Sequence, residues 1–176
     1  GGELHNSSAS SLAYLGSLWP RLDSAHLNTV LAPVYWELVE PQEGRFNFNL
    51  VDGLISQARA HGMHLVLLWF GSWKNGQSSY VPSWVKRDTV RFPLVTVRGG
   101  SRLQVLSPMG TATLKADSTA FSALMRHLKS FDGEQHTVLM MQVENEVGIL
   151  GDTRDRSALA ETAMERPVPG QLLTYL

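Results

Sequence analysis

The feature that most constrains this chain is an alternation of short apolar runs with longer stripes at helical spacing. Leu27 to Val34, Met63 to Phe70 and Thr137 to Val143 are strand-length runs rich in β-formers. Three helical stripes alternate with them, one ahead of each run: Leu12, Leu15, Leu18, Trp19 and Leu22; then Leu50, Val51, Leu54, Ile55 and Ala58; then Phe121, Leu124, Met125 and Leu128. A Ser-rich entry (Ser7, Ser8, Ser10, Ser11) suits a helix cap, and His61-Gly62 and Asp132-Gly133 suit helix stops. Met63 to Phe70 is apolar on both faces, as a parallel strand covered by helices must be. The order predicts βα units and a parallel sheet, hence an α/β fold. The tail from Thr153 offers a short helix that Pro167 and Pro169 interrupt.

One stretch departs from the alternation. Residues 71–111 are too long for a simple loop, and within them Leu94 to Val97 and Leu103 to Val105 flank Gly99-Gly100 as a hairpin would. Long excursions after a parallel strand are where α/β folds build their sites. No repeat, low-complexity tract or linker divides residues 1–176.

Composition removes several function classes. Fifteen Lys and Arg against sixteen Asp and Glu give a net charge of -1, which leaves no electrostatic footprint for nucleic acid or an anionic membrane. The absence of cysteine excludes thiolate nucleophiles and thiolate metal sites. The six histidines show no metal-ligand spacing, so neither a metal nor a cofactor is expected. Residues 71–78 have P-loop spacing, but Gln77 occupies the position of the phosphate-binding Lys. No run approaches the ~20 apolar residues of a membrane span. No basic leader is visible, but the chain opens on Gly1-Gly2 rather than Met, so a periplasmic or secreted location stays open.

The chemistry gathers at strand ends. Gln142-Val143-Glu144-Asn145-Glu146 closes the last strand, and strict alternation would put Gln142, Glu144 and Glu146 on one face. Polar side chains there would be costly in a sealed core but useful at the mouth of a barrel. A half-buried carboxyl beside a second carboxylate would hold its proton, as a general acid must. The earlier strands end in Trp36-Glu37 and in Trp69 followed by Trp73-Lys74-Asn75. Aromatic rings beside charged and amide groups suit sugars, whose C–H faces stack while their hydroxyls hydrogen-bond. For any one Trp, core packing is the plainer explanation. Their recurrence beside polar groups favours a carbohydrate site.

Taken together, these motifs resemble the catalytic barrel of family-35 glycoside hydrolases, the β-galactosidases of the large (β/α)8 clan. Gly2-Glu3-Leu4-His5 is similar to that family's first strand. Leu27-Asn28-Thr29-Val30 with Trp36-x-Leu38-x-Glu40-Pro41-x-x-Gly44-x-Phe46-x-Phe48 resembles its second, Pro82-x-Trp84 a later motif, and Gln142 to Glu146 its fourth strand. The family-42 β-galactosidases share Glu-Pro-x-x-Gly and the Asn-Glu pair and stand close behind. The resemblance implies the N-terminal half, about four βα units, of a TIM barrel with a long insertion after the third strand. It also implies that Glu146 is the general acid/base, that Asn145 binds the sugar 2-hydroxyl, and that Glu144 lines the galactose pocket. A bulge or loop start is then expected at Asn145.

Trp36, Glu37, Trp69, Trp73, Lys74 and Asn75 complete the expected substrate-binding set. Departures from family 35 fall at Glu37, Val39, Val147 and the whole of 68–76, which weakens galactose as the specific sugar. The nucleophile, a Glu on the clan's seventh strand, is expected beyond residue 176. The remainder of the barrel is thus an expected partner, and these residues alone are expected to be inert. The alternative is a carbohydrate-binding or interaction protein without catalysis, made from an incomplete barrel.

Overall fold

The computed structural model describes residues 1–175. Four parallel strands, β1 (Gly2–Glu3), β2 (Thr29–Tyr35), β3 (His64–Phe70) and β6 (Val138–Val143), form one sheet in the order β1-β2-β3-β6. Helices α1 (Leu12–Ser24), α3 (Asn49–Ala60) and α5 (Thr111–Phe131) make the crossovers between them. A four-residue helix α2 (Trp36–Val39) follows β2 directly. The excursion after β3 holds helix α4 (Ser83–Arg87) and the antiparallel pair β4 (Leu94–Thr96) and β5 (Arg102–Leu106). Helices α6 (Ala158–Met164) and α7 (Gly170–Tyr175) form the tail.

The alternating pattern therefore folds as expected, with one correction of extent. The third helical stripe begins at Thr111, ten residues before Phe121, because Thr113, Asp117 and Ala120 continue its buried face with small and polar residues. A count of apolar positions passes over these. The hairpin forms around Gly99 and Gly100, both at positive φ, where glycine carries no Cβ penalty.

Register assigns the two faces of the sheet. Val30, Ala32 and Val34 pair with Leu65, Leu67 and Trp69, and all six are buried. The Trp69 indole donates to Asp117 on α5, so this face meets the helix layer. By alternation Leu31, Val66, Phe70, Met140 and Gln142 belong to the opposite, inner face. There Leu31 and Val66 are half-buried, and Met140 and Gln142 are exposed.

The helix layer is stitched from one helix to the next. The Trp19 indole donates to Gln57 at 2.7 Å, joining α1 to α3. Arg59 reaches Asp132 at 2.7 Å, and Asp132 in turn accepts from the Val138 amide at 2.7 Å. One carboxylate thus ties α3, the end of α5 and the start of β6. Leu139, Met140 and Val143 are exposed along β6. Among the described residues, no helix is long and apolar enough to cross a membrane.

Candidate active site

Three strand ends build the rim of the sheet. At the end of β2, Trp36 is fully buried and its indole donates to Glu40 at 2.8 Å. The other Glu40 oxygen accepts from the Gly44 amide at 2.7 Å, and Gly44 sits at φ 73. This explains Glu40-Pro41-x-x-Gly44 physically: the carboxylate caps a tight turn whose last residue needs a positive φ. The Trp84 indole donates to the Glu40 carbonyl and its ring meets Trp36 edge-on, so two separate motifs close on one another. Glu37 is half-buried, with Lys86 at 3.4 Å.

At the end of β3 the chain turns through Gly71 into a tight loop. Lys74 pairs with Gln77 across Asn75 and Gly76, at φ 54 and 64. Two consecutive positive φ values define the type I′ turn that Asn-Gly favours. Lys74 is buried, with its ammonium 4.8 Å from the centre of the Phe70 ring and 2.7 Å from the Asn145 side-chain oxygen. Phe70 packs against Tyr35 and Tyr80, so Lys74 and Asn145 meet over the inner face.

At the end of β6 the strand stops at Val143, and both Glu144 and Glu146 adopt positive φ, 62 and 48. The break in alternation expected at Asn145 falls one residue earlier. Left-handed residues on either side of Asn145 break a strand's two-sided projection, so Glu144 and Glu146 diverge. The Glu144 carboxylate accepts from the Ser72 and Trp73 amides at 3.0 and 2.8 Å, and it shares the Ser72 amide with the Asp117 carboxylate. Burial first, then Asp117, pushes its pKa up to about 9. Glu146 is exposed, with no side-chain partner among the described residues, and its carbonyl accepts from the Gly76 amide at 3.2 Å.

Several expectations are corrected by this geometry. Trp36 and Trp69 are fully buried, each with its indole N–H bound to a carboxylate, so neither offers a ring face to a sugar. Glu144 is held by loop amides and borders the cavity beside α5. Trp73 is also largely buried, donating to the Leu106 carbonyl at 3.1 Å, but it does line a cavity. Lys74, Asn145 and Glu146 come together at the rim, with Asn75 exposed at the turn beside them. Asp117 was missed. Its signal was present: a charged residue in register with the buried positions Thr113, Ala120 and Leu124 of α5.

The cavity beside Glu144 encloses about 350 Å³, walled mainly by apolar groups of α5, the loop after β5 and Val143. It lies on the helix side of the sheet, behind Trp69 rather than over Phe70. A perturbed carboxyl in a large cavity is an ordinary mark of an active site. Here its hydrogen bonds to loop amides and its position behind the sheet make the inner rim the better candidate. Among the described residues, no group of three or more His, Cys, Asp or Glu could hold a metal ion.

Comparison with known proteins converges on one group. A model of glycoside hydrolase family 42, described as beta-galactosidase, matches residues 19–165. A beta-galactosidase from Xanthomonas manihotis is 29% identical over an alignment of 133 residues, and the match covers 72% of this chain and 20% of that protein. A catalytic mutant of a family-42 beta-galactosidase from G. stearothermophilus superposes with a TM-score of 0.68 at 19% identity. That superposition covers 93% of this chain and 22% of the other. The sheet is thus part of a TIM-type barrel, and the chain spans about a fifth of the length of these relatives.

Proposed function

The chain belongs to glycoside hydrolase family 42, and from that membership we propose that it carries the acid/base half of a retaining hydrolase of terminal β-galactosides. Family 35, which the motifs resemble, gives way to family 42 over residues 19–165. The reason is visible in the residues. Glu40-Pro41-x-x-Gly44 and Asn145-Glu146 are common to both families, while segment 68–76 lacks the family-35 pattern.

Glu146 is the general acid/base in this reading. The supporting observation is the contrast at the rim: Glu144 and Glu40 are engaged by loop donors, while Glu146 stays exposed beside an anchored Asn145. A nucleophilic Glu from another part of the barrel, outside these residues, attacks the anomeric carbon. The bond to the leaving oxygen breaks as Glu146 gives that oxygen its proton. Glu146 then takes a proton from water, which attacks the glycosyl-enzyme and releases the sugar with retained configuration. This chemistry requires the two carboxyls to stand ~5 Å apart. Asn145, held by Lys74, binds the sugar 2-hydroxyl in this reading.

The test is Glu146→Gln in the full-length protein. On an alkyl β-galactoside it is expected to lower kcat/KM by roughly 10²–10⁴-fold, the usual contribution of a general acid. An activated aryl galactoside, whose leaving group needs little protonation, is expected to lose much less. Azide, a nucleophile that needs no base, is expected to restore turnover and give β-galactosyl azide. Equal loss on both substrates would remove Glu146 from the role. Galactoside binding by the unaltered protein with no turnover would point to a binding protein instead.

A further inference from the structure

Two carboxyl groups meet where the proposed reaction does not use them. Glu144 and Asp117 accept from the same Ser72 amide, at 3.0 and 2.7 Å. Glu144 also takes the Trp73 amide at 2.8 Å, and Asp117 takes the Ser72 hydroxyl at 2.5 Å and the Trp69 indole at 2.8 Å. All of these donors are neutral. Lys74, the cation of the same loop, is turned to Asn145 and the Phe70 ring. Among the described residues, Asp117 and Glu144 are the only two titratable side chains lining the adjoining cavity.

Two ionised carboxylates placed this way, Asp117 buried and Glu144 half-buried, without a counter-charge, repel one another. One proton between them removes the repulsion and supplies a hydrogen that two acceptors otherwise lack. Gly71 makes the approach possible: a Cβ there would strike the Trp69 indole nitrogen and both carboxyls. The clasp fixes Ser72 and Trp73 at their backbone. Two residues on, Lys74 fixes Asn145, the neighbour of Glu146.

We propose that Asp117 and Glu144 share one proton as a clasp that positions Glu146, acting through the Ser72–Lys74 segment and the Lys74–Asn145 hydrogen bond. The proposal rests on the assignment of Glu146 as acid/base. Asp117 is a positioning residue, remote from the sugar. The charged groups around the clasp are Asp117 from α5, Lys74 from the loop, and Glu146 from the segment after β6.

The experiment compares Asp117→Ala and Asp117→Asn with Glu146→Gln in the full-length protein. Asp117→Ala is expected to lose about 100-fold in kcat/KM on an alkyl galactoside, the scale of an ångström-level misplacement of a catalytic group. On an activated aryl galactoside the loss should stay below about 5-fold, because the displaced proton donor is hardly needed there. Asp117→Asn, whose amide supplies the hydrogen to Glu144, is expected to restore most of the activity.

A second readout does not depend on catalysis. The folded pKa of Glu144 lies above its ordinary value, so the folded state holds a proton that the unfolded chain releases. Its contribution to stability is therefore fully present below the ordinary Glu range and is lost as pH rises towards about 9. Asp117→Asn is expected to flatten that decline in Tm. Equal losses on the two substrates, no loss, or an unchanged Tm profile in Asp117→Asn would overturn the clasp. If Glu146→Gln shows no dependence on the leaving group, the acid assignment fails separately, and the Tm profile alone decides for or against the clasp.

Discussion

The ends of β2 and β6 present the same arrangement with different outcomes. Each carries two Glu residues within four positions, one engaged by hydrogen-bond donors and one more open: Glu37, half-buried beside Lys86, and Glu146, exposed. At β2 the engaged residue is Glu40, whose oxygens meet an indole N–H and an amide N–H. At β6 it is Glu144, which meets two amides and a second carboxyl, Asp117. The first arrangement satisfies a carboxylate with donors alone. The second satisfies it only by holding a proton. A strand-end Glu can therefore be a turn cap, a proton-holding clasp or a free acid, and its neighbours decide which.

The largest effect should come from the residue that lets the β6 arrangement close. Gly71→Ala would place a methyl against Trp69, Glu144 and Asp117 together, with no flexible aliphatic neighbour to yield. Overpacking of this kind typically costs about 1–3 kcal/mol, and breaking a buried polar network adds to it. A loss of ~3 kcal/mol or more by chemical denaturation of the full-length protein is expected. A loss below ~1 kcal/mol would mean that the two carboxyls move apart freely, and the contrast between the strand ends would dissolve.

The β2 end should respond less. Trp36→Phe keeps the ring in the core but removes the N–H that Glu40 accepts, leaving a buried carboxylate oxygen short of a donor. Such losses cost about 1–3 kcal/mol. Because Trp36 is fully buried, KM for a galactoside should stay within about twofold, as expected of a change that removes packing without removing substrate contact. A raised KM with unchanged stability would return Trp36 to the sugar site and separate the two strand ends by function.

The strands β2, β3 and β6 and the helix layer were legible in the sequence because they follow from period and length. Strand runs of six to eight apolar residues and stripes at helical spacing have few other ways to bury themselves. The site was legible only in part. Asn145-Glu146 and Lys74 stand out in the sequence because their types and positions at strand ends carry chemistry. Trp36 and Trp69 misled because an aromatic residue at a strand end reads alike whether its face is open or its N–H is bound within the core. Glu144 is a subtler case. The expectation of a proton-holding carboxyl beside a second carboxylate assumes that alternation continues past Val143, whereas in the structure the carboxyl beside Glu144 is Asp117. Two positive φ values at the end of β6 have no local signature in Glu, a residue that seldom adopts them. Asp117 lies 27 positions before Glu144 in sequence, and only the fold reveals it as a partner.

The smallest expected effect separates backbone from side chain at the rim. Asn75 stands at φ 54 in the turn that delivers Lys74 to Asn145, and its side chain is exposed. Asn75→Ala should cost about 1 kcal/mol, since alanine lacks the tolerance of asparagine for left-handed backbone. Asn75→Gly should be neutral within about 0.5 kcal/mol, because glycine takes the conformation freely. If Asn75 serves the turn alone, the glycine variant keeps the KM of the unaltered protein while the alanine variant loses stability. A raised KM in the glycine variant, with stability intact, would show that the side chain reaches the sugar. The open region at the rim would then extend beyond Asn145 and Glu146 into the loop after β3, and the contrast with the closed end of β2 would sharpen.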